Sequence, residues 1–162
     1  MVSTELLRRY PLFADQSNYM LEEIAMISSE IMKDKGEWLF HEDEDATKLY
    51  LVLDGAIALT LYVYLNGSGQ HLSSSHSLGK GEIIGWSSII PPHQYKLGAM
   101  VVNASHLLEI DALPLRQLLD DNPEHGYHFL RQIAEVVSER YMLINIQILS
   151  LMTDKQVKTV DN

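Results

Sequence analysis

The middle of the chain, residues 37–111, has the two-residue periodicity of β-strands, whereas the segments on either side repeat at helical spacing. The clearest stretch runs from Ala56 to Leu65, where apolar residues alternate with small or polar ones. Successive side chains of a strand point to opposite faces, so the alternation predicts a strand with one face in a core. The residues predicted to face that core are Ile57, Leu59, Leu61, Val63 and Leu65.

Further strands and turns are predicted around this one. Residues 37–40 and 48–53 read as two strands, and Asp54-Gly55 as a tight turn that separates the second from the alternating strand. The tetrapeptide Asn66-Gly67-Ser68-Gly69 predicts a hairpin turn, after which residues 70–77 return as a polar strand. Many short strands with turns between them favour a sandwich or jelly roll over an α/β sheet.

The segment before the strands is predicted to be helical. Residues 4–10 read as a short helix stopped by Pro11, because proline disfavours helix at the residue before it. Asp15 is predicted to cap a second helix that continues to about Lys33, with its apolar residues at helical spacing.

The segment after the strands predicts a short helix capped by Asp111 and then a long one. Asn122 is predicted to cap the long helix, with Pro123 at its first position, where the missing N–H costs nothing. No proline interrupts it as far as Met152, and about thirty residues of helix span about 45 Å. That is longer than a small β domain needs for cover, so part of the helix's apolar seam is predicted to face a partner, while the rest lies along the chain's own β domain. The predicted apolar seam is Ile133, Val137, Ile144, Ile148 and Leu151, interrupted by Arg140 and Tyr141.

These patterns divide the chain into four parts. Residues 1–36 form a helical cap, 37–111 a mainly β jelly-roll core, 112–152 the C-terminal helices, and 153–162 a polar tail that is expected to be flexible.

Composition and charge limit the classes of function. The chain carries 12 basic and 22 acidic residues, a net charge of −10, and an acidic surface repels nucleic-acid phosphates. The absence of cysteine excludes disulfides, iron–sulfur clusters and thiol catalysis. The first residues do not resemble a signal peptide, and no apolar run reaches the roughly 18 residues of a membrane helix. We therefore expect a cytoplasmic protein that binds neither nucleic acid nor membrane.

The segment 80–111 carries the strongest functional signal. It reads as a strand ending at Gly85, a short helix at 86–90, a double proline, a polar return at 93–96 and two more strands. A glycine that turns directly into a short helix exposes backbone N–H groups at the positive end of the helix dipole. Such a helix start favours a small anion.

The order of these motifs resembles the cyclic-nucleotide-binding domain of Crp/Fnr-type transcription regulators and of cyclic-nucleotide-regulated kinases and channels. The sequence LYLVLDG at 49–55 is similar to the family's strand and turn, and GEIIGWSS at 81–88 followed by LLEID at 107–111 resembles its phosphate-binding cassette. The resemblance covers roughly residues 5–151. It implies a non-enzymatic sensor domain without a cofactor, which forms a homodimer through its long C-terminal helix. The family's regulators continue into a helix-turn-helix domain, so either this chain never had one or it is a fragment.

The family's cassette holds a cyclic phosphate with an arginine, and a glutamate after the cassette glycine holds the ribose hydroxyl. Here Gly85 matches that glycine, but Trp86 stands at the glutamate position. The arginine position is most simply Gln94, with Lys96 the nearest cation. A charge-assisted hydrogen bond contributes about 1.5–3 kcal/mol, so losing the arginine costs roughly one to two decades of affinity. The resemblance therefore implies an unidentified small effector other than tightly bound cAMP or cGMP.

Two elements are predicted to supply the ligand-binding side chains. The cassette contributes most of them, and the long helix contributes two because the family's helix reaches over its effector there. The predicted residues are Gly85, Trp86, Ser87, Ser88, Gln94, Tyr95, Lys96, Arg140 and Tyr141.

Three alternatives remain open on sequence. The first is a ligand-free dimerisation module whose cassette is filled by its own side chains, Trp86 first. The second is a haem or metal sensor, for which His71, His76 or His93 would supply a ligand. The third is a cupin-type enzyme, although the metal-binding HxH pattern of cupins and the common catalytic motifs are absent. His71 and His76 are five residues apart, so a regular strand places them on opposite faces.

Overall fold

The computed structural model describes residues 2–65 and 68–160. Helices flank a single antiparallel sheet of six strands. The elements in chain order are α1 Thr4–Arg8, α2 Pro11–Ala14, α3 Asn18–Met26, β1 Ser28–Lys33, β2 Trp38–Phe40, β3 Lys48–Leu65, β4 Ser68–Leu78, β5 Ile83–Ile84, a 3₁₀ turn Trp86–Ser88, β6 Gly98–Asp111, α4 Ala112–Asp121 and α5 Pro123–Val160.

The sheet is built on two long strands, β3 and β6, which pair with each other along most of their length. The strand order is β1-β6-β3-β4, with β2 added to β6 and β5 added to β3. Every one of these pairings is antiparallel. The predicted mainly β jelly roll with flanking helices is confirmed.

The first half of β3 separates two cores. Leu49, Leu51 and Leu53 pack against the helices, in a cluster that also contains Phe13 and Phe129. The intervening residues Tyr50 and Val52 point into the inside of the roll, in a cluster with Phe40, Tyr95 and Leu107. A strand covered on both faces must be apolar at successive positions, which explains the unbroken apolar run at 49–53.

The predicted turn at Asp54-Gly55 is wrong, because the chain continues through these residues within β3. The pairing of β3 with β6 shifts register on both sides of Asp54, and Gly55 has φ +97°. This is a β-bulge, which places one extra residue in a strand and bends it. The same partner, β6, pairs with both halves of β3, and β6 itself is one strand where two were predicted.

The predicted helix over 15–33 is also wrong in its second half. Ser17 rather than Asp15 caps α3, accepting a hydrogen bond from the Met20 N–H at 3.3 Å. The helix ends at Met26, where the Ser28 hydroxyl donates to the Ile24 carbonyl at 2.6 Å. Residues 28–33 then pair with β6 as β1, so tertiary pairing overrides a weak helical pattern.

The alternation predicted after Ala56 holds only at its start. Ile57 is fully buried, as predicted, but Leu61 is 45% exposed and Thr60 is only 2% exposed. The pairing of β3 with β4 shifts register between Ala58 and Thr60, which exchanges the two faces of the strand. The side chains of 63–65 and residues 66–67 of the predicted turn lie outside the described residues.

The C-terminal helices begin where the sequence predicts. The Asn122 carbonyl accepts the Gly126 N–H at 2.9 Å, and Pro123 is the first residue of α5. Asp111 precedes α4, but its carboxylate pairs with Lys48 at 2.5 Å instead of capping the helix. α5 continues to Val160, beyond the predicted end near Met152. None of the helices within the described residues has the length and apolarity to cross a membrane.

Candidate functional site

The cassette turn is set by Gly85, which lies between β5 and the 3₁₀ turn in the left-handed region, at φ +77°. A Cβ at this position would lie 3.0 Å from the Lys48 carbonyl oxygen and 3.1 Å from the Tyr95 ring. Both the dihedral angle and the close approach therefore require glycine. The helical segment after it spans only Trp86–Ser88, shorter than the predicted 86–90.

A cavity of about 250 Å³ lies between this turn and α5. Seven of the nine predicted site residues line it, namely Gly85, Trp86, Ser87, Tyr95, Lys96, Arg140 and Tyr141. The lining residues that the sequence reasoning missed are Phe40, Leu59, Leu97, Val137 and Ile144. Trp86 lines the cavity and leaves it open.

Ser88 and Gln94 do not line this cavity. Ser88 is fully buried beneath the turn, and its carbonyl accepts a hydrogen bond from Arg116 Nη1 at 2.6 Å. Gln94 Nε2 donates to the Asp43 carbonyl at 2.9 Å, and its Oε1 accepts from Lys96 Nζ at 3.3 Å. Gln94 thus attaches the return segment to the loop before β3.

Tyr95 presents its ring to the cavity and uses its hydroxyl elsewhere. The ring stacks on Phe40 with centroids 3.6 Å apart and planes 9° from parallel. The hydroxyl donates to the Lys48 carbonyl at 2.8 Å and accepts from the Lys48 N–H at 3.1 Å. Burial raises the pKa of Tyr95 to about 12. Tyr95 is both a wall of the cavity and a link between the cassette and β3.

Arg140 reaches the cassette from α5. Its Nη2 donates to the carbonyl of Ile83 in β5, while its Nε is buried and has no hydrogen-bond partner among the described residues. Burial lowers the pKa of the guanidinium, and the nearby Glu82 carboxylate partly opposes that shift. Within the same residues Arg140 has no ion pair. The side chain is therefore a partly buried cation that has an N–H donor without an acceptor and no ion pair among the described residues.

The charge of the cavity contrasts with that of the chain. The chain has a net charge of −10, but the cavity is lined by the two cations Lys96 and Arg140 and by no carboxylate. Most other lining groups are aromatic or aliphatic. The cavity is therefore suited to an apolar molecule with a negative group.

The histidines proposed as ligands of a metal or haem do not form a metal site among the residues that the structure describes. Among the residues that the structure describes, no three His, Asp or Glu side chains converge as metal ligands. His93 lines a separate cavity with Arg116. The side chains of His71 and His76 lie outside the described residues.

The antiparallel sheet with its flanking helices is the fold of a cyclic-nucleotide-binding-like domain. The sequence matches the cyclic nucleotide-binding domain family over residues 32–122, and the chain belongs to that family. This confirms the resemblance drawn from the motifs. The described residues contain no DNA-binding helix-turn-helix domain.

Solved structures agree with this assignment. A protein from Geobacter metallireducens GS-15, provisionally named a cyclic nucleotide-binding protein, is 30% identical, with a TM-score of 0.75 over 86% of this chain and 98% of that one. The N-terminal domain of a transcriptional regulator from Streptomyces coelicolor A3(2) is 28% identical, with a TM-score of 0.61 over 83% and 93%. The sensor domain of the transcriptional regulator DNR from Pseudomonas aeruginosa shares the fold at 21% identity, with a TM-score of 0.67 over 85% and 89%. Among curated proteins no sequence matches the chain.

Proposed function

We propose that this domain is a non-enzymatic, cytoplasmic signal sensor that binds a small effector in the cassette cavity, and that the effector is not a tightly bound cyclic nucleotide. The observation that carries the proposal is the open cavity of about 250 Å³, bounded on one side by the Gly85 turn and on the other by α5. A decayed cassette kept only for packing would be expected to collapse onto its own side chains.

The polar groups of the cassette support an effector other than cAMP or cGMP. Trp86 offers no acceptor for a ribose hydroxyl. Gln94 is engaged with the Asp43 carbonyl and with Lys96, outside the cavity. A cyclic phosphate would therefore meet no cassette arginine, and its sugar would meet no carboxylate.

The position of α5 supports coupling between effector and output. Val137, Arg140 and Ile144 of this helix line the same cavity as the cassette residues. An effector that contacts both sides favours the arrangement in which the helix packs on the cassette, and it shifts the population toward that arrangement.

A homodimer through α5 fits the exposed residues of the helix. Of the predicted seam, Ile133 is buried against the domain's own core, and Val137 and Ile144 line the cavity. The side chains of Ile148 and Leu151 lie outside the described residues. The outer surface of the helix nevertheless carries large apolar side chains, of which Met142 is 61% and Ile146 57% exposed. These two are one helical turn apart and form one stripe with Leu149, opposite the cavity. A second copy of α5 is the proposed cover for this stripe.

The effector site is tested by a thermal-shift screen of small metabolites against wild type and a cavity-blocked variant. Leu97→Trp adds bulk at a lining residue that is already 38% exposed, so the fold should be retained. We expect metabolites that stabilise the wild type by several degrees, and loss of that shift in Leu97→Trp. Leu72→Trp, on β4 and away from the cavity, is the matched control and should respond as the wild type does. Hits that stabilise Leu97→Trp equally, or a broad library without hits, would support the ligand-free module instead.

A further inference from the structure

Arg140 lies where two cavities meet, and the two cavities differ in charge. The one beside α2 and β5, of about 300 Å³, is lined by the carboxylates of Glu82, Glu135 and Glu139. The cassette cavity has no carboxylate in its lining and contains a second cation, Lys96. An anion that pairs with Arg140 would be repelled from the first cavity and attracted to the second.

The guanidinium is incompletely satisfied on its own. Its Nη2 donates to the Ile83 carbonyl, but the buried Nε has no partner among the described residues, and none of their carboxylates forms an ion pair with it. A buried donor without an acceptor is costly, and so is a partly desolvated charge whose nearby carboxylate, Glu82, forms no ion pair with it. A carboxylate accepts N–H bonds from a guanidinium and carries the opposite charge, so a ligand with such a group would supply Arg140 with an acceptor and an ion-pair partner.

The other residues that line the cavity indicate which kind of uncharged body a ligand would need. Four rings line the cavity, those of Phe40, Trp86, Tyr95 and Tyr141, and aliphatic side chains complete it. Hydroxyl-rich or multiply charged molecules would leave polar groups unpaired against such walls, whereas a flat aromatic ring gains from stacking. The volume of about 250 Å³ lies near the lower limit for small-molecule sites.

We propose that the cassette cavity binds a small aromatic monoanion, such as an arylcarboxylate, with its charged group on Arg140 and its ring against Trp86. This rests on the proposed function and names the chemical class of its effector. The side chain that binds the negative group of the ligand is then Arg140 on the long helix, whereas the family's phosphate-binding arginine belongs to the cassette. Binding therefore connects the effector directly to the element that carries the apolar stripe.

The test is a calorimetric titration with benzoate, phenylacetate and indole-3-acetate, each compared with its neutral amide. The wild type should bind at least one acid about tenfold or more tightly than the amide of the same skeleton. Arg140→Gln should weaken that acid at least about tenfold and leave its amide within about twofold. Arg140→Lys should recover part of the loss, because it keeps the charge but not the bidentate geometry. The matched control is Arg131→Gln on the same helix, where the arginine is exposed and pairs with Glu135.

Equal binding of acids and amides would overturn the proposal, and so would an Arg140→Gln protein that retains the acid affinity. Absence of binding by all three acids at about 10 mM would also overturn it. These outcomes are separable from failure of the effector site itself. A metabolite of another class that is blocked by Leu97→Trp would leave the sensor function intact. Unchanged circular dichroism of Arg140→Gln verifies that any loss is not due to unfolding.

Discussion

Gly55→Ala is expected to lower the free energy of unfolding by about 3–5 kcal/mol. Two effects add at this position. The φ of +97° is strained for any residue with a side chain, and an added Cβ would lie 2.6 Å from Ser105 Cα and 2.7 Å from the Ala104 carbonyl oxygen. Both neighbours are backbone atoms of β6, so relieving the overlap requires the central strand pair to separate. Urea denaturation followed by circular dichroism measures the change.

Gly36→Ala is the matched control for this prediction. Gly36 also has a positive φ, +91°, but a Cβ there would meet nothing within 4 Å. Its replacement should therefore cost only the dihedral strain, about 1–2 kcal/mol. If the two variants lose equal stability, the close packing of the β3 bulge on β6 is not what requires glycine at position 55.

Ile146→Asp is expected to weaken self-association at least about 100-fold, which corresponds to about 2.7 kcal/mol. Each dimer would bury two carboxylates on the stripe that includes Met142, and each carries a desolvation cost. Ile146 lines neither cavity, so effector binding should not be disturbed directly. Sedimentation equilibrium of wild type and variant gives the dissociation constants.

The control for the dimer prediction is Leu113→Asp. Leu113 is 59% exposed, close to the 57% of Ile146, but it lies on α4. The same change in charge there should leave association unaltered. A wild type that is monomeric at about 100 μM, or a Leu113→Asp protein that dissociates equally, would contradict pairing through α5.

The sequence predicted the fold because motif order is a long-range signal. Each single motif is weak, but a glycine before a short helix, placed after the LYLVLDG strand and before a long helix, occurs in this order within one family of folds. The errors were local. An Asp-Gly pair is compatible with both a turn and a β-bulge. The bulge at Gly55 follows only from the pairing of both halves of β3 with the same strand, β6. Residues 28–33 similarly became β1 through a partner about eighty residues away in sequence.

The candidate site was predicted on its cassette side and missed on its strand side. Gly85 to Ser87 are adjacent in sequence, so a motif finds them. Phe40, Leu59 and Leu97 come from three separate segments and meet only in the folded roll. The alternation that places Leu59 toward the inside was a usable signal, whereas nothing local marks Phe40 or Leu97. Arg140 was predicted from the resemblance, because the family's long helix reaches over its effector there, and in the structure it lines the cavity.

Isothermal titration of the wild type with cAMP and cGMP is the most direct test of the claim that the cassette cavity binds an effector other than a cyclic nucleotide. We expect no saturable binding below about 100 μM, because Trp86 and Gln94 supply neither the ribose acceptor nor the phosphate cation. Sub-micromolar affinity for either nucleotide, about 8 kcal/mol or more of binding free energy, would contradict it.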